Sequence, residues 1–185
     1  MNRVSTATLT ALLIGGSVLT GGGVPALAGG AAISHPQSDR HDDAPGAQER
    51  VVRAWVQLWN GDYALAGRIV SPDVRVRAAL LDGGDGSAVR GPAGMVDLIG
   101  QIRGAFPDLR FTVEVGPIVD GDHVVVRWVA DGTYGGGFPG ATAAPGTTVR
   151  FTGTDILRVR HGLITDYWLN ADTLLLTTQL GVKAG

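Results

Sequence analysis

The spacing of apolar positions changes along this chain, and the change divides it into helices and strands. Val51, Val52, Trp55 and Trp59 fall on one stripe at helical spacing, so a helix is predicted over residues 47–60. Asn60-Gly61-Asp62 supplies its stop. Residues 63–70 predict a second, short helix ended by Ser71-Pro72, and residues 74–79 alternate as a strand. A glycine-rich loop over 82–86 follows. Met95, Leu98, Ile99, Ile102 and Phe106 then give the strongest helical period in the chain, opened at Pro92 and closed by Pro107. From Phe111 the period becomes two: Phe111, Val113 and Val115 alternate with polar residues, and Asp120-Gly121-Asp122 reads as a hairpin turn. Strands are predicted over 123–134, 148–160 and 163–170, with a short helix over 172–180. The order α-α-β-α-β-β-β-β-α describes an α+β domain, helices packed on one face of a curved, mostly antiparallel sheet.

Composition and charge narrow the function classes. Apolar residues make up 44% of the 185 and charged residues 17%, a balance that builds a core rather than a disordered chain. The net charge of −2 concentrates no basic surface against phosphates, so nucleic acid is not an expected partner. The chain has no cysteine, which removes disulfides, thiolate catalysis and cysteine-ligated zinc. Residues 1–28 read as a secretory signal peptide: Arg3, a modest apolar run over 9–19, then Pro25-Ala26-Leu27-Ala28 with small residues where a signal peptidase cuts. The run is too short to span a membrane. Residues 29–46 have no apolar period and read as a flexible leader. His35, His41, Asp42 and Asp43 lie there, and a leader that must first be ordered makes a poor metal site, so no metal is assigned. The folded domain is therefore expected over 47–185, in an exported protein.

Five local patterns carry a resemblance. They are Trp59-Asn60-Gly61-Asp62; Phe106-Pro107-Asp108-Leu109; Asp120-Gly121-Asp122 leading to Val124-Val125-Val126-Arg127; Gly132-Thr133-Tyr134 with Gly137, Phe138 and Gly140; and Asp155-Ile156-Leu157-Arg158 leading to Gly162-Leu163-Ile164-Thr165-Asp166-Tyr167-Trp168. In this order they resemble the SnoaL-like polyketide cyclase (ester cyclase) branch of the NTF2-like superfamily, from Val51 to Val182. The resemblance implies a cone-shaped α+β barrel, in which a strongly curved sheet and the N-terminal helices enclose an apolar cavity. It implies intramolecular aldol closure of a polycyclic ester without metal or organic cofactor, and a homodimer. It also implies that an aspartate just before the last helix serves as acid/base, and Asp172 stands there.

Each candidate residue has a structural reading beside the functional one. Asp172 is an acid/base if apolar neighbours raise its carboxyl from about 3.9. It is equally an ordinary helix N-cap, and a carboxylate tied to backbone amides makes a poor base. Trp59, Trp128 and Trp168 line the cavity or simply pack the core. Asp155 lies on an apolar strand at the parity of Leu157 and needs a partner, for which Arg158, Arg127 or a hydroxyl would serve. Phe138 belongs to a long loop, residues 135–146, predicted to cover the cavity mouth. Tyr134 replaces the histidine that many relatives carry after the Gly-Thr pair. It can donate to an oxyanion but, with a pKa of about 10, cannot shuttle protons near neutrality. Gly135-Gly136-Gly137-Phe138-Pro139-Gly140 matches G-x-G-x-x-G in letters, yet no helix follows to hold a pyrophosphate, so no dinucleotide is expected. Three functions remain open: a cofactor-independent ester cyclase-type enzyme (lyase, isomerase or hydrolase), a non-catalytic carrier of an apolar small molecule, and a dimerising interaction module.

Overall fold

A helical stripe and an alternating sheet face each leave apolar surface bare until they meet, and the fold is the result of that meeting. The structure, a computed structural model, describes residues 46–80 and 84–183. The signal peptide and leader expected over residues 1–46 lie outside these except for Gly46, as do Asp82 and Gly83 of the expected loop. The first helix, α1 (Ala47–Trp59), buries Val51, Val52, Trp55, Leu58 and Trp59, which is the stripe read from the sequence. The second helical segment begins as a 3-10 turn at Tyr63–Leu65 and continues as α2 (Ala66–Ile69). Strand β1 (Val70–Ala78) starts four residues earlier than the alternation suggests and runs through Pro72. Proline is tolerated because β1 is an edge strand whose pairing is irregular between Val70 and Arg75. Helix α3 (Gly91–Ala105) carries Pro92 in its first turn and buries Met95, Leu98 and Ile99.

Four strands and a last helix follow: β2 (Arg110–Asp120), β3 (His123–Thr133), β4 (Thr148–Arg160), β5 (Leu163–Ala171) and α4 (Thr173–Gln179). The sheet order is β1-β5-β4-β3-β2; β2 to β5 pair antiparallel and β1 joins β5 in parallel. The sheet is mixed, curved and unclosed, and the helices cover its inner face, the cone of the NTF2-like fold. Val124, Val126, Trp128 and Ala130 of β3 face inward, as do Phe151, Asp155, Leu157 and Val159 of β4. Full burial of one such apolar side chain contributes about 1.5–3 kcal/mol.

Two irregularities change which residues face in. In β5, Arg158 pairs with Asp166 but Val159 with Ile164, so Thr165 is an extra residue. This bulge lets both Ile164 and Tyr167 be buried on the inner side while Asp166 and Trp168 face out. In β2, pairing shifts twice between Val113 and Ile118, around Gly116 at φ +104. A Cβ there would come within 2.7 Å of the Val125 carbonyl oxygen. Val115, expected to face in, is 50% exposed as a result.

Candidate functional site

Asp155 is the polar exception on the inner face. Its side chain is buried at 3% exposure in a strand whose inward neighbours are apolar. A buried carboxyl needs partners, and the fold brings three from three elements. Trp55 Nε1 of α1 donates to Oδ2 at 2.8 Å. Trp128 Nε1 of β3 donates to Oδ1 at 2.9 Å, and the Tyr167 hydroxyl of β5 donates to Oδ1 at 3.2 Å. All three are neutral. Burial drives the carboxyl up and the hydrogen bonds draw it part of the way back, leaving it at about 6. Burial, with the Asp155 charge beside it, pushes the Tyr167 phenol well above its usual value, so Tyr167 stays a donor. A carboxylate offers about four lone-pair sites. Trp128 and Tyr167 take those of Oδ1, Trp55 takes one of Oδ2, and the site left open is on Oδ2.

The arginines expected as partners of Asp155 are elsewhere. Arg158 donates to Asp122 at 2.9 Å and Arg127 to Glu114 at 3.0 Å. The period of two explains this: Arg158 is three residues from Asp155, and Arg127 pairs with Thr154, so both face out. The hydroxyl alternative is the one realised, through Tyr167.

Asp155 lines the smaller part of a two-part cavity. The inner chamber, about 50 Å³, is lined by Trp55, Trp59, Phe111, Trp128, Asp155 and Tyr167 among others. The outer chamber, about 300 Å³, is lined by Leu98, Phe106, Phe138, Leu176 and others. Ile102, Phe151, Leu169 and Ala171 line both, so the two adjoin. Gly153 makes room for one wall. It pairs with Trp128, and a Cβ on it would lie within 2.6 Å of Trp128 Cη2 and closer still to Cζ2. Trp59 is fixed from both sides. The next residue, Asn60, exchanges hydrogen bonds with the Phe111 backbone, giving Nδ2–H to the carbonyl at 3.0 Å and accepting the N–H at 2.7 Å. Arg103 of α3 donates to the Trp59 carbonyl at 3.3 Å and to that of Leu109 at 2.5 Å. These contacts account for the Trp-Asn-Gly pattern physically: the helix end is bolted to β2. Among the described residues, no group of three or more His, Asp or Glu side chains is placed to hold a metal ion.

A family model described as SnoaL-like polyketide cyclase matches residues 49–180. The chain belongs to the SnoaL-like polyketide cyclase family. No curated protein matches the chain in sequence. Among solved structures, IdmH from Streptomyces antibioticus is 26% identical, with a TM-score of 0.62 over 72% of this chain and 98% of its own. TsrD from Streptomyces laurentii is 24% identical, with a TM-score of 0.63 over 76% and 98%. A SnoaL-like polyketide cyclase from Agrobacterium tumefaciens is 22% identical, with a TM-score of 0.57 over 72% and 97%. The last two likenesses speak to the fold alone.

Within this SnoaL-like cone the residues singled out by sequence fall into three groups. Trp59, Trp128 and Asp155 line the inner chamber and Phe138 lines the outer one. Leu157 is fully buried in the core beyond Asp155. Tyr134 is buried against Phe106, and its hydroxyl oxygen accepts the Phe138 N–H at 3.1 Å, which holds Phe138 at the cavity. Trp168 is on the outer face, under the Arg77 guanidinium at 4.8 Å and 6.1 Å from His123, because the Thr165 bulge puts Tyr167 rather than Trp168 inside. Asp172 is exposed; it caps α4 by accepting the Leu175 N–H at 3.0 Å and is absent from the walls of both chambers. The loop 135–146 is tied down rather than free: Gly135 N–H donates to Ala105, and Thr142 and Ala143 N–H both donate to Leu180. Sequence reasoning passed over Trp55 and Tyr167. Trp55 lies on the stripe that carries Trp59, and Tyr167 was hidden by a bulge that periodicity alone does not reveal.

Proposed function

We propose that this SnoaL-like protein is a cofactor-independent proton-transfer enzyme acting on a small apolar carbonyl compound, with Asp155 as its acid/base. The observation that carries this reading is a lone carboxyl on the wall of an apolar cavity, raised by burial to about 6 with neutral donors as its partners, and with an uncommitted lone pair. Such a group is ionised at neutral pH yet basic enough to take a proton from carbon. The carbonyl compound enters through the outer chamber. Asp155 Oδ2 removes a proton from the carbon next to the carbonyl. The C–H electron pair becomes the C=C bond of an enolate and the carbonyl π pair moves to oxygen. In aldol closure the enolate carbon attacks a second carbonyl of the same molecule, and the Asp155 proton passes to the new alkoxide. The cyclase reading fits the family and IdmH, which is named as a candidate polyketide cyclase. In this proposal Asp172 keeps its cap and the acid/base role falls to Asp155.

Two further parts of the proposal concern place and assembly. The pattern in residues 1–28 supports export. The outer face supports a homodimer: Ile118, Val125, Ile156 and Trp168 are successive cross-strand neighbours, forming an apolar row over four strands.

A second reading is supported by the hydrogen bonds themselves. Three aromatic donors on one carboxylate also suit a structural tether, and then the cavity only carries its ligand. The test is exchange of the C2 protons of 1-tetralone in D2O, followed by NMR. Wild type is expected to accelerate exchange, with a rate rising through about pH 6, and Asp155→Asn to abolish it while still binding the ketone. Binding without exchange in either protein would leave the carrier reading.

A further inference from the structure

Four side chains are shared by the two chambers, and one of them is far smaller than the rest. Ile102 of α3, Phe151 of β4, and Leu169 and Ala171 of β5 line both the inner space of about 50 Å³ and the outer one of about 300 Å³. The sheet register sets their order. Leu169 pairs with Asp155, and Ala171, two residues on, pairs with Gly153. On its other side Gly153 pairs with Trp128. The Trp128 ring lies over Gly153, where a Cβ would come within 2.6 Å of Cη2, and its Nε1 reaches Asp155 at 2.9 Å. In the row Trp128, Gly153, Ala171 the indole therefore fills one side, while the two residues beside it carry a single methyl group between them. Cross-strand neighbours on one face stand about 4.5–5.5 Å apart, so the bulk left out at 171 is left out close to that indole.

We infer that Ala171 is a specificity-determining residue of this site: its small side chain leaves a neck wide enough for a ligand held in the outer chamber to reach Asp155, and a larger one there would pass only narrow ligands to the base. This rests on the proton-transfer reading and adds the selection step that precedes it. The other shared residues are less free to vary. Phe151 is 5% exposed and packs on Trp128 at 5.8 Å between ring centroids, and Leu169 stands beside the carboxyl itself. Ala171 is the last residue of β5 and only partly buried, so its size can change with little disturbance of the core. An apolar wall selects by volume, and one methylene more or less changes discrimination by about 10–200-fold. The two chambers also divide the labour. The outer one, being larger, holds most of a ligand and sets affinity, whereas the neck decides whether a C–H is brought to the carboxylate. A loss at the neck is therefore a loss of turnover rather than of binding.

A size series at this one position tests the inference. In the full-length protein, Ala171→Gly, Ala171→Val and Ala171→Leu are compared with wild type in exchange of the protons next to the carbonyl, for 1-tetralone as a wide ketone and acetone as a narrow one. The ratio of the two rates, wide over narrow, is expected to fall with each enlargement, at least tenfold from wild type to Ala171→Leu, and to rise in Ala171→Gly. The Kd of Ala171→Leu for 1-tetralone is expected to stay within about threefold of wild type, so that the loss lies in kcat. Acetone exchange in each variant reports that it is folded with its carboxyl in place, and Ala171→Gly carries the test if the larger side chains prevent folding. A ratio unmoved across the series, equal losses for both ketones, or a Kd rising in step with the lost exchange overturns the inference. Indole N–H signals separate its failure from that of the Asp155 reading. Trp55 and Trp128 line the inner chamber, and their signals are expected to move when 1-tetralone is added to wild type but not to Ala171→Leu. Signals that ignore the ketone in wild type also overturn the inference. The expected difference with no exchange by wild type removes the base and keeps the neck. Exchange that ignores the side chain at 171 removes the neck and keeps the base.

Discussion

Asp155 and Asp166 lie on neighbouring strands, are 3% and 2% exposed, and face opposite sides of the sheet. Asp155 meets three neutral donors inside the cone. Asp166 meets Arg75 and Arg77, each at 3.1 Å, and the Thr165 hydroxyl at 3.1 Å. Burial pushes both carboxyls up. At Asp166 the hydrogen bonds from Arg77 and Thr165 and the charges of the two guanidiniums outweigh it, and the group stays below its usual range. At Asp155 burial wins and the group titrates at about 6. Asp166 is covered only by two arginines that are themselves largely exposed, while Asp155 lies deep inside the cone, so depth and the partner's charge together give the two carboxyls opposite chemistry. A carboxylate locked to arginines has surrendered its proton over the whole neutral range. One held by dipoles can still take and return it.

That contrast can be broken or sharpened at three places, in falling order of expected effect. Gly153→Ala strikes the inner site through packing. Its methyl group would overlap Trp128, so the indole must move and Asp155 loses a donor. The expected cost is about 3 kcal/mol in urea unfolding, with a changed near-ultraviolet dichroism spectrum. A variant as stable as wild type, with its spectrum intact, would show that Trp128 is free to shift.

The second test uses the sign of the titrations. Asp155 is raised from 3.8 to about 6 on folding. Its favourable contribution is therefore complete below about pH 3.8 and is lost as pH rises through about 6, up to about 3 kcal/mol. Asp166 is lowered, so its contribution is present above its unfolded value and is lost as pH falls. Urea midpoints are expected to be highest between about pH 4 and 5. Asp155→Asn should flatten the decline toward pH 7, and Asp166→Asn should soften only the acid side. A wild-type profile flat from pH 4 to 7 would mean that the Asp155 carboxyl is not raised.

The smallest effect is expected at Asp172. Its bond to the Leu175 N–H makes it a cap, so Asp172→Ala should cost about 1 kcal/mol and leave exchange of 1-tetralone protons unchanged. Loss of exchange with stability retained would return the acid/base role to Asp172.

The helices and most strand limits were legible because each rests on a local period. The stripe Val51, Val52, Trp55, Trp59 buries as read, and Pro92 opens α3. The site was legible in composition but not in direction. Trp59, Trp128 and Asp155 were all singled out, whereas Tyr167 and Trp168 were interchanged by the one-residue bulge at Thr165, which no propensity announces. Asp172 and Asp155 could not be ranked from sequence, because the difference between them is burial and partner geometry. Both are set by elements about a hundred residues away, as in the bond from Trp55 to Asp155.

The parallel pairing of β1 with β5 has a kinetic consequence. Val76 meets Tyr167 across about ninety residues of chain, so the first strand has no neighbour in the sheet until the last has been made. Such distant pairings place folding toward the millisecond-to-second end of single-domain behaviour, because the loop between them must close before any contact rewards it. The inner chamber therefore cannot assemble piecemeal during synthesis. A nascent chain that stops short of Tyr167 lacks one donor to Asp155 and the strand that β1 pairs with, and the acidic chamber forms in the same late step that completes the sheet.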